Sequence, residues 1–140
     1  MTETLIGYEL KRAQQALRGA TDEALRPLGL TTPQYAALNS VQSEPGASSA
    51  TLARRSFVTP QTMNDIVNLL TGTELLEKEP HPEHKRIVQL RLTKKGEAVL
   101  EHAHQAILRV EERMIAPLTE AERKQLAQCL RACSEALTSS

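Results

Sequence analysis

The chain has 140 residues, a length that suits one domain around one core. Apolar residues make up 40% and aromatic ones only 2%, so the core has to be aliphatic, which favours helices packed on helices. The net charge of zero gives no direct support for a polyanionic partner, two cysteines make no disulfide framework, and no apolar run nears the ~20 residues that span a bilayer.

Leu5, Ile6, Leu10, Ala13, Leu17, Ala20, Ala24, Leu25 and Leu28 recur at helical spacing and predict a first helix over about 5–28, stopped by Gly29. The start Met1-Thr2-Glu3-Thr4 has neither the basic residues nor the apolar run of a signal peptide, so a cytoplasmic protein is expected. Thr32-Pro33-Gln34 reads as a second helix start, with Thr32 as cap and Tyr35, Leu38 and Val41 inward as far as about Gln42. Glu44-Pro45-Gly46 is a turn. Ser48 or Ser49 caps a short third helix carrying Leu52 and Ala53, with Arg54 and Arg55 outside. Phe57, the lone phenylalanine, is expected to key this helix against the next.

Thr59-Pro60-Gln61-Thr62 opens a fourth helix, since Thr59 can cap the free N–H groups and Pro60 needs none at the first helical position. Met63, Ile66, Val67 and Leu70 form its apolar face; Gln61, Thr62, Asn64, Asp65 and Asn68 form the other. Side-chain amides carry donor and acceptor side by side, which suits an adenine edge in the major groove. A short helix, a tight turn and an amide-rich helix make a helix-turn-helix. Leu75–Glu79 and Ile87–Leu92 read as strands around Pro80-His81-Pro82-Glu83-His84-Lys85, where two prolines remove two backbone donors. The fold class is therefore mainly α with a small β-hairpin wing, a winged helix-turn-helix.

Thr93 is the expected cap of a long helix with Val99, Leu100, Ala103, Ile107, Val110 and Met114 in a stripe, broken by Pro117. Thr119-Glu120-Ala121-Glu122 is a capping box that opens a last helix with Leu126, Leu130, Cys133 and Leu137 on one side. A DNA-reading unit over about 32–92 cannot cover these stripes, so a homodimer through residues 5–28 and 97–137 is predicted, with its reading helices ~34 Å apart. The whole is one domain, 1–140. Between residues 48 and 95, eight basic side chains face five acidic ones, which places the basic excess on the reading segment. Arg54, Lys85 and Arg86 are the expected phosphate or groove contacts, and Thr59 belongs to the same surface.

Thr59-Pro60-Gln61-Thr62-Met63-Asn64, Leu75-Leu76-Glu77-Lys78, Pro82-Glu83-His84-Lys85-Arg86 and Val88-Gln89-Leu90-Arg91-Leu92-Thr93 together resemble the MarR (multiple antibiotic resistance regulator) family of winged-helix transcription factors, over nearly the whole chain. The resemblance implies a dimer on a pseudo-palindromic double-stranded operator, usually a repressor, released by a small, often aromatic acid bound between the DNA-reading lobe and the dimer helices. It also implies that Arg86 enters the minor groove, where narrow A·T tracts attract arginine. Two positions depart from the pattern: His84 stands where the wing has an aspartate, and Asp65 where many members have a basic residue. A carboxylate at 65 repels phosphate but can accept from cytosine N4.

Tyr8 and Tyr35 could border an effector pocket, with Arg12 to hold an acid. Cys129 and Cys133, four apart on one helical face, suit a redox-responsive regulator or simple packing on an interface helix. His102 and His104 point in different directions and His81 and His84 have only Glu83 nearby, so no metal site and no cofactor are expected. No nucleophile–base pair or phosphate loop speaks for an enzyme. The rival from another class is a winged-helix module that docks a protein and binds no DNA.

Overall fold

A computed structural model describes residues 5–139, and the Met1–Thr4 start lies outside them. The elements follow the expected order: α1 (Ile6–Leu25), a single 3-10 turn (Arg26–Leu28), α2 (Thr32–Ser43), α3 (Ser49–Arg55), α4 (Pro60–Gly72), β1 (Leu76–Pro80), β2 (Val88–Leu92), α5 (Lys94–Ile115) and α6 (Glu120–Thr138). α1 ends three residues earlier than its apolar spacing suggests. Pro27 has no N–H to continue the ladder, so the chain tightens into the 3-10 turn and closes at Gly29 with φ +72.

Thr31, not Thr32, caps α2: its hydroxyl accepts from Gln34 N–H, and the Gln34 side chain accepts from Thr31 N–H at 3.1 Å. The reciprocal pair needs a spacing of three, which Thr31 has and Thr32 lacks. Thr32, at the first helical position, is free to bond Asp22 of α1 instead. Ser48, Thr59, Thr93 and Thr119 cap the later helices, the last in the expected box.

Leu25, Leu38, Leu52, Met63, Leu70, Leu76, Leu90 and Leu100 are fully buried and draw α1 to α5 and the hairpin into one aliphatic core. The strands pair antiparallel from Leu76↔Leu92 to Pro80↔Val88. Pro80 belongs to β1 after all. His81 N–H donates to the Ile87 carbonyl at 2.9 Å, so by alternation Pro80–Val88 is a pair that asks for no N–H. Gly46 and Ala47 pair with Leu90 on the far side of β2, which ties the start of α3 to the wing.

Phe57 does not key α3 against α4. It is 95% exposed at φ +56, and the contact is closed by buried Leu52, Ala53, Met63 and Val67. α6 buries no residue in the single chain: Leu126, Leu130 and Leu137 are exposed, as are Leu5, which precedes α1, and Ile6 and Leu10 within it. No described helix is long and apolar enough to cross a membrane.

Candidate nucleic-acid interface

α3, the turn at Ser56–Val58 and α4 form the helix-turn-helix, with Ser56 closing α3 and Thr59 opening α4. The Thr59 hydroxyl accepts from Thr62 N–H at 3.1 Å and donates to the Thr62 hydroxyl at 2.9 Å, so Thr59 is committed to holding the helix start while the Thr62 hydroxyl keeps its own proton to donate. Gln61, Thr62, Asn64, Asp65 and Asn68 are all exposed, while Met63, Val67 and Leu70 are buried, as the two-faced spacing requires.

The exposed face is itself divided. Asn64 and Asn68, one turn apart, are both engaged by other elements: the Asn64 amide oxygen accepts from Ser49 Oγ at the start of α3 at 2.8 Å, and that of Asn68 from Lys78 Nζ of the wing at 3.1 Å. Between them lies an open groove of about 320 Å3 lined also by Val67, Val88 and Leu90. Gln61, Thr62 and Asp65 form the rest of the exposed polar face. Ser49 and Lys78, which bind the two asparagines, were not expected from sequence. A short helix start and a strand lysine carry no local signal of meeting α4; only the tertiary pairing of hairpin and helix brings them there.

The wing is a braced hairpin. Glu79 accepts from Arg91 Nε across the strands at 2.6 Å. At the tip, the His81 ring nitrogen Nδ1 accepts from the backbone N–H of both Glu83 and His84 at 3.1 Å, and the two imidazoles stand 5.2 Å apart. His81 thus organises the turn at the wing tip. Lys85 and Arg86 are exposed beyond it, and among the described residues no carboxylate, Glu83 included, forms an ion pair with either. Arg54 is exposed and bonds only Thr51 at 3.3 Å, whereas Arg55 pairs with Glu44 at 2.8 Å.

The residues suggested for an effector pocket are not brought together within one chain. Arg12 sits on the exposed outer stretch of α1, 6.0 Å from the Tyr8 ring and 3.4 Å from Glu9. Tyr35, half-buried on α2, meets α5: its hydroxyl lies 2.8 Å from His104 Nδ1, and His104 Nε2 lies 3.0 Å from the Gln42 amide oxygen. Burial pushes the Tyr35 hydroxyl above the ordinary tyrosine pKa. The signal for His104 in the sequence is its four-residue spacing from the core residue Leu100, which sets it on the inward side of α5. Cys129 and Cys133 are both exposed on α6. Among the described residues no cluster of His, Cys, Asp or Glu could hold a metal ion.

Comparison with known proteins agrees with this architecture. Residues 28–87 match the MarR family profile. The HTH-type transcriptional repressor Rv2887 of Mycobacterium tuberculosis is 33% identical over 125 residues, which cover 89% of this chain and 90% of that protein. The crystal structure of Rv2887 with salicylic acid superposes with a TM-score of 0.77 at 31% identity, covering 94% of this chain and 97% of that one. The transcriptional repressor CouR bound to a 23-mer DNA duplex gives a TM-score of 0.86 at 27% identity, covering 93% and 92%. A helix-turn-helix with a hairpin wing, framed by long terminal helices and matched over most of its length by such relatives, identifies the chain as a member of the MarR family of transcription regulators.

Proposed function

We propose that this protein is a sequence-specific DNA-binding repressor that acts as a homodimer and is released by a small aromatic acid. The observation that carries the reading is the wing: Lys85 and Arg86 stand exposed and without carboxylate partners at the tip of a braced hairpin, whose first strand is bonded to α4 through Lys78 and Asn68. Two relatives support the DNA partner, since Rv2887 and CouR were both solved on DNA.

In this reading α4 lies in the major groove and Arg86 in the adjacent minor groove, with Arg54 and Lys85 on phosphates. Gln61, Thr62 and Asp65 meet the bases first. Asn64 and Asn68 contribute through the amide groups left over from Ser49 and Lys78. The lobe over 32–92 reads, and the helices over 5–28 and 97–137 pair the copies, which would bury the exposed stripes of α1 and α6. Rv2887 bound to salicylic acid supports an acid effector, and this reading places it at the seam of lobe and dimer helices. Tyr35 and His104 line that seam here, with Tyr8 and Arg12 as the first candidates to complete the pocket. The acid acts by favouring a spacing of the reading heads that no longer fits the grooves.

The test is enrichment of bound duplexes from a random pool, followed by anisotropy titration at several salt concentrations. A palindrome should emerge, and affinity should fall steeply with salt. Arg86→Ala should weaken binding several-fold while the fold stays intact; unchanged affinity would remove the wing from the interface. Asn64→Ala or Asn68→Ala should change base preference more than non-specific affinity.

A further inference from the structure

Phe57 occupies the place where a turn between two helices has most use for glycine. Ser56 closes α3, Val58 N–H reaches back to the Ala53 carbonyl at 3.2 Å, and Phe57 between them takes φ +56. In this left-handed C-terminal turn a Cβ crowds the neighbouring carbonyl, which is why glycine usually fills it. Packing returns nothing, because the ring is 95% exposed, more than any other large apolar side chain among the described residues. A residue that breaks a local rule and buries nothing against its own chain is a sign of something outside the chain.

Its surroundings say what that is. Thr59, the cap of α4, follows two residues later, so the ring stands at the end of the helix proposed to enter the major groove. Arg54 lies exposed one turn before it. From Pro45 to Asn64 the sequence has no acidic residue at all; of the two carboxylates that border it, Glu44 is held by Arg55, and Asp65 stands exposed eight residues after Phe57 on α4. An apolar ring set in a carboxylate-free stretch with an exposed arginine suits a polyanion that also carries apolar groups.

We infer that Phe57 packs against the 5-methyl group of a thymine at the edge of each operator half-site and so selects thymine there; this rests on the DNA-binding reading above. Thymine is the one base that presents a methyl group in the major groove, and apolar contact is how proteins recognise it. Cytosine at the same place offers a bare C5 and an amine that would lose water against the ring without gaining a partner. The left-handed turn sets the direction, since it carries the side chain away from the α3–α4 contact and out of the chain's own core.

The test uses the full chain and a duplex enriched from a random pool, with thymines replaced one symmetric pair at a time by deoxyuridine, which removes only the methyl group. Wild type, Phe57→Ala and Phe57→Gly are compared by anisotropy. One pair of replacements should weaken wild-type binding by about five- to tenfold, and neither variant should respond to that replacement. Phe57→Gly should also melt about 2–4 °C higher than wild type, since it relieves the turn, so its loss of affinity cannot be put down to misfolding. The inference is overturned if both variants bind the thymine duplex as tightly as wild type, or if no replacement has an effect that depends on residue 57. Failure of the wild type to enrich any duplex would instead overturn the DNA-binding reading, and this inference with it.

Discussion

Asp22 on α1 accepts hydrogen bonds from both the backbone N–H and the hydroxyl of Thr32 at the start of α2, while its second oxygen takes Arg18 Nε at 3.1 Å. A helix proposed to pair two copies is thereby tied to the lobe proposed to read DNA. The bonds from Thr32, then the arginine, hold the Asp22 carboxyl below the usual carboxylate range, against the opposing effect of burial. A carboxyl lowered in the folded state stabilises the fold above the unfolded-state pKa of about 3.9, and that contribution is lost as pH falls through the folded-state value. Asp22→Asn should therefore cost about 0.5–1 kcal/mol at neutral pH, allowing for solvent screening of a partly exposed group. The gap from wild type should close as urea melts are taken below about pH 4; a gap that persists in acid would separate the effect from ionisation.

Gly96, in the first turn of α5, is a second joint. A Cβ there would stand 2.1 Å from the Leu75 carbonyl oxygen, which already accepts from Thr93 N–H at 3.2 Å. Backbone faces backbone at this point, so no side chain can swing aside. Gly96→Ala should destabilise the protein by about 2–3 kcal/mol through overpacking, despite the better helix propensity of alanine. Equilibrium urea unfolding would show it as a lower midpoint.

Glu74 predicts the opposite sign. It ends α4 at φ +65, with Leu75 N–H bonded to the Leu70 carbonyl at 2.9 Å and its own N–H to Thr71 at 3.1 Å. This is the same left-handed closure as at Phe57, here with a carboxylate residue in the glycine position. Glu74→Gly should gain about 0.5–1 kcal/mol, seen as a melting temperature higher by about 2–4 °C. No gain would mean that the closure carries no strain.

Leu126 and Leu130 are each more than two-fifths exposed on a helix that buries nothing in the single chain. If the partner copy covers them, the double change Leu126→Glu and Leu130→Glu should yield a monomer by sedimentation velocity, with the winged lobe still helical by circular dichroism. Operator affinity should drop by about 100-fold or more, because only one half-site can then be held at a time. A variant that stays dimeric would move the interface elsewhere.

The elements were readable because their signals are local. Threonine before proline starts α4, the Thr119–Glu122 box starts α6, and three- and four-residue apolar spacing shows which face is inward. Even the error at the start of α2 was one of register, with two adjacent threonines competing for one cap. What the sequence did not show depends on contacts far apart in the chain. The Asn64 and Asn68 amides were read as facing outward, yet Ser49 and Lys78 take their oxygens, from 15 and 10 residues away. His104 finds Tyr35 across 69 residues. Phe57 failed for another reason: hydrophobicity argues for burial, but a backbone turn decides where a side chain points, and the residue type alone does not reveal the sign of φ.

The bare outer surface of α6 has a genetic corollary. If pairing and DNA reading sit in separable parts of the chain, a copy damaged only at Arg86 or Phe57 still has an intact α6 with which to recruit a healthy partner. Such mixed pairs would each be left with one competent half. An allele crippled in its reading head should then interfere with the normal one when both are expressed, whereas an allele lacking α6 should be silently recessive.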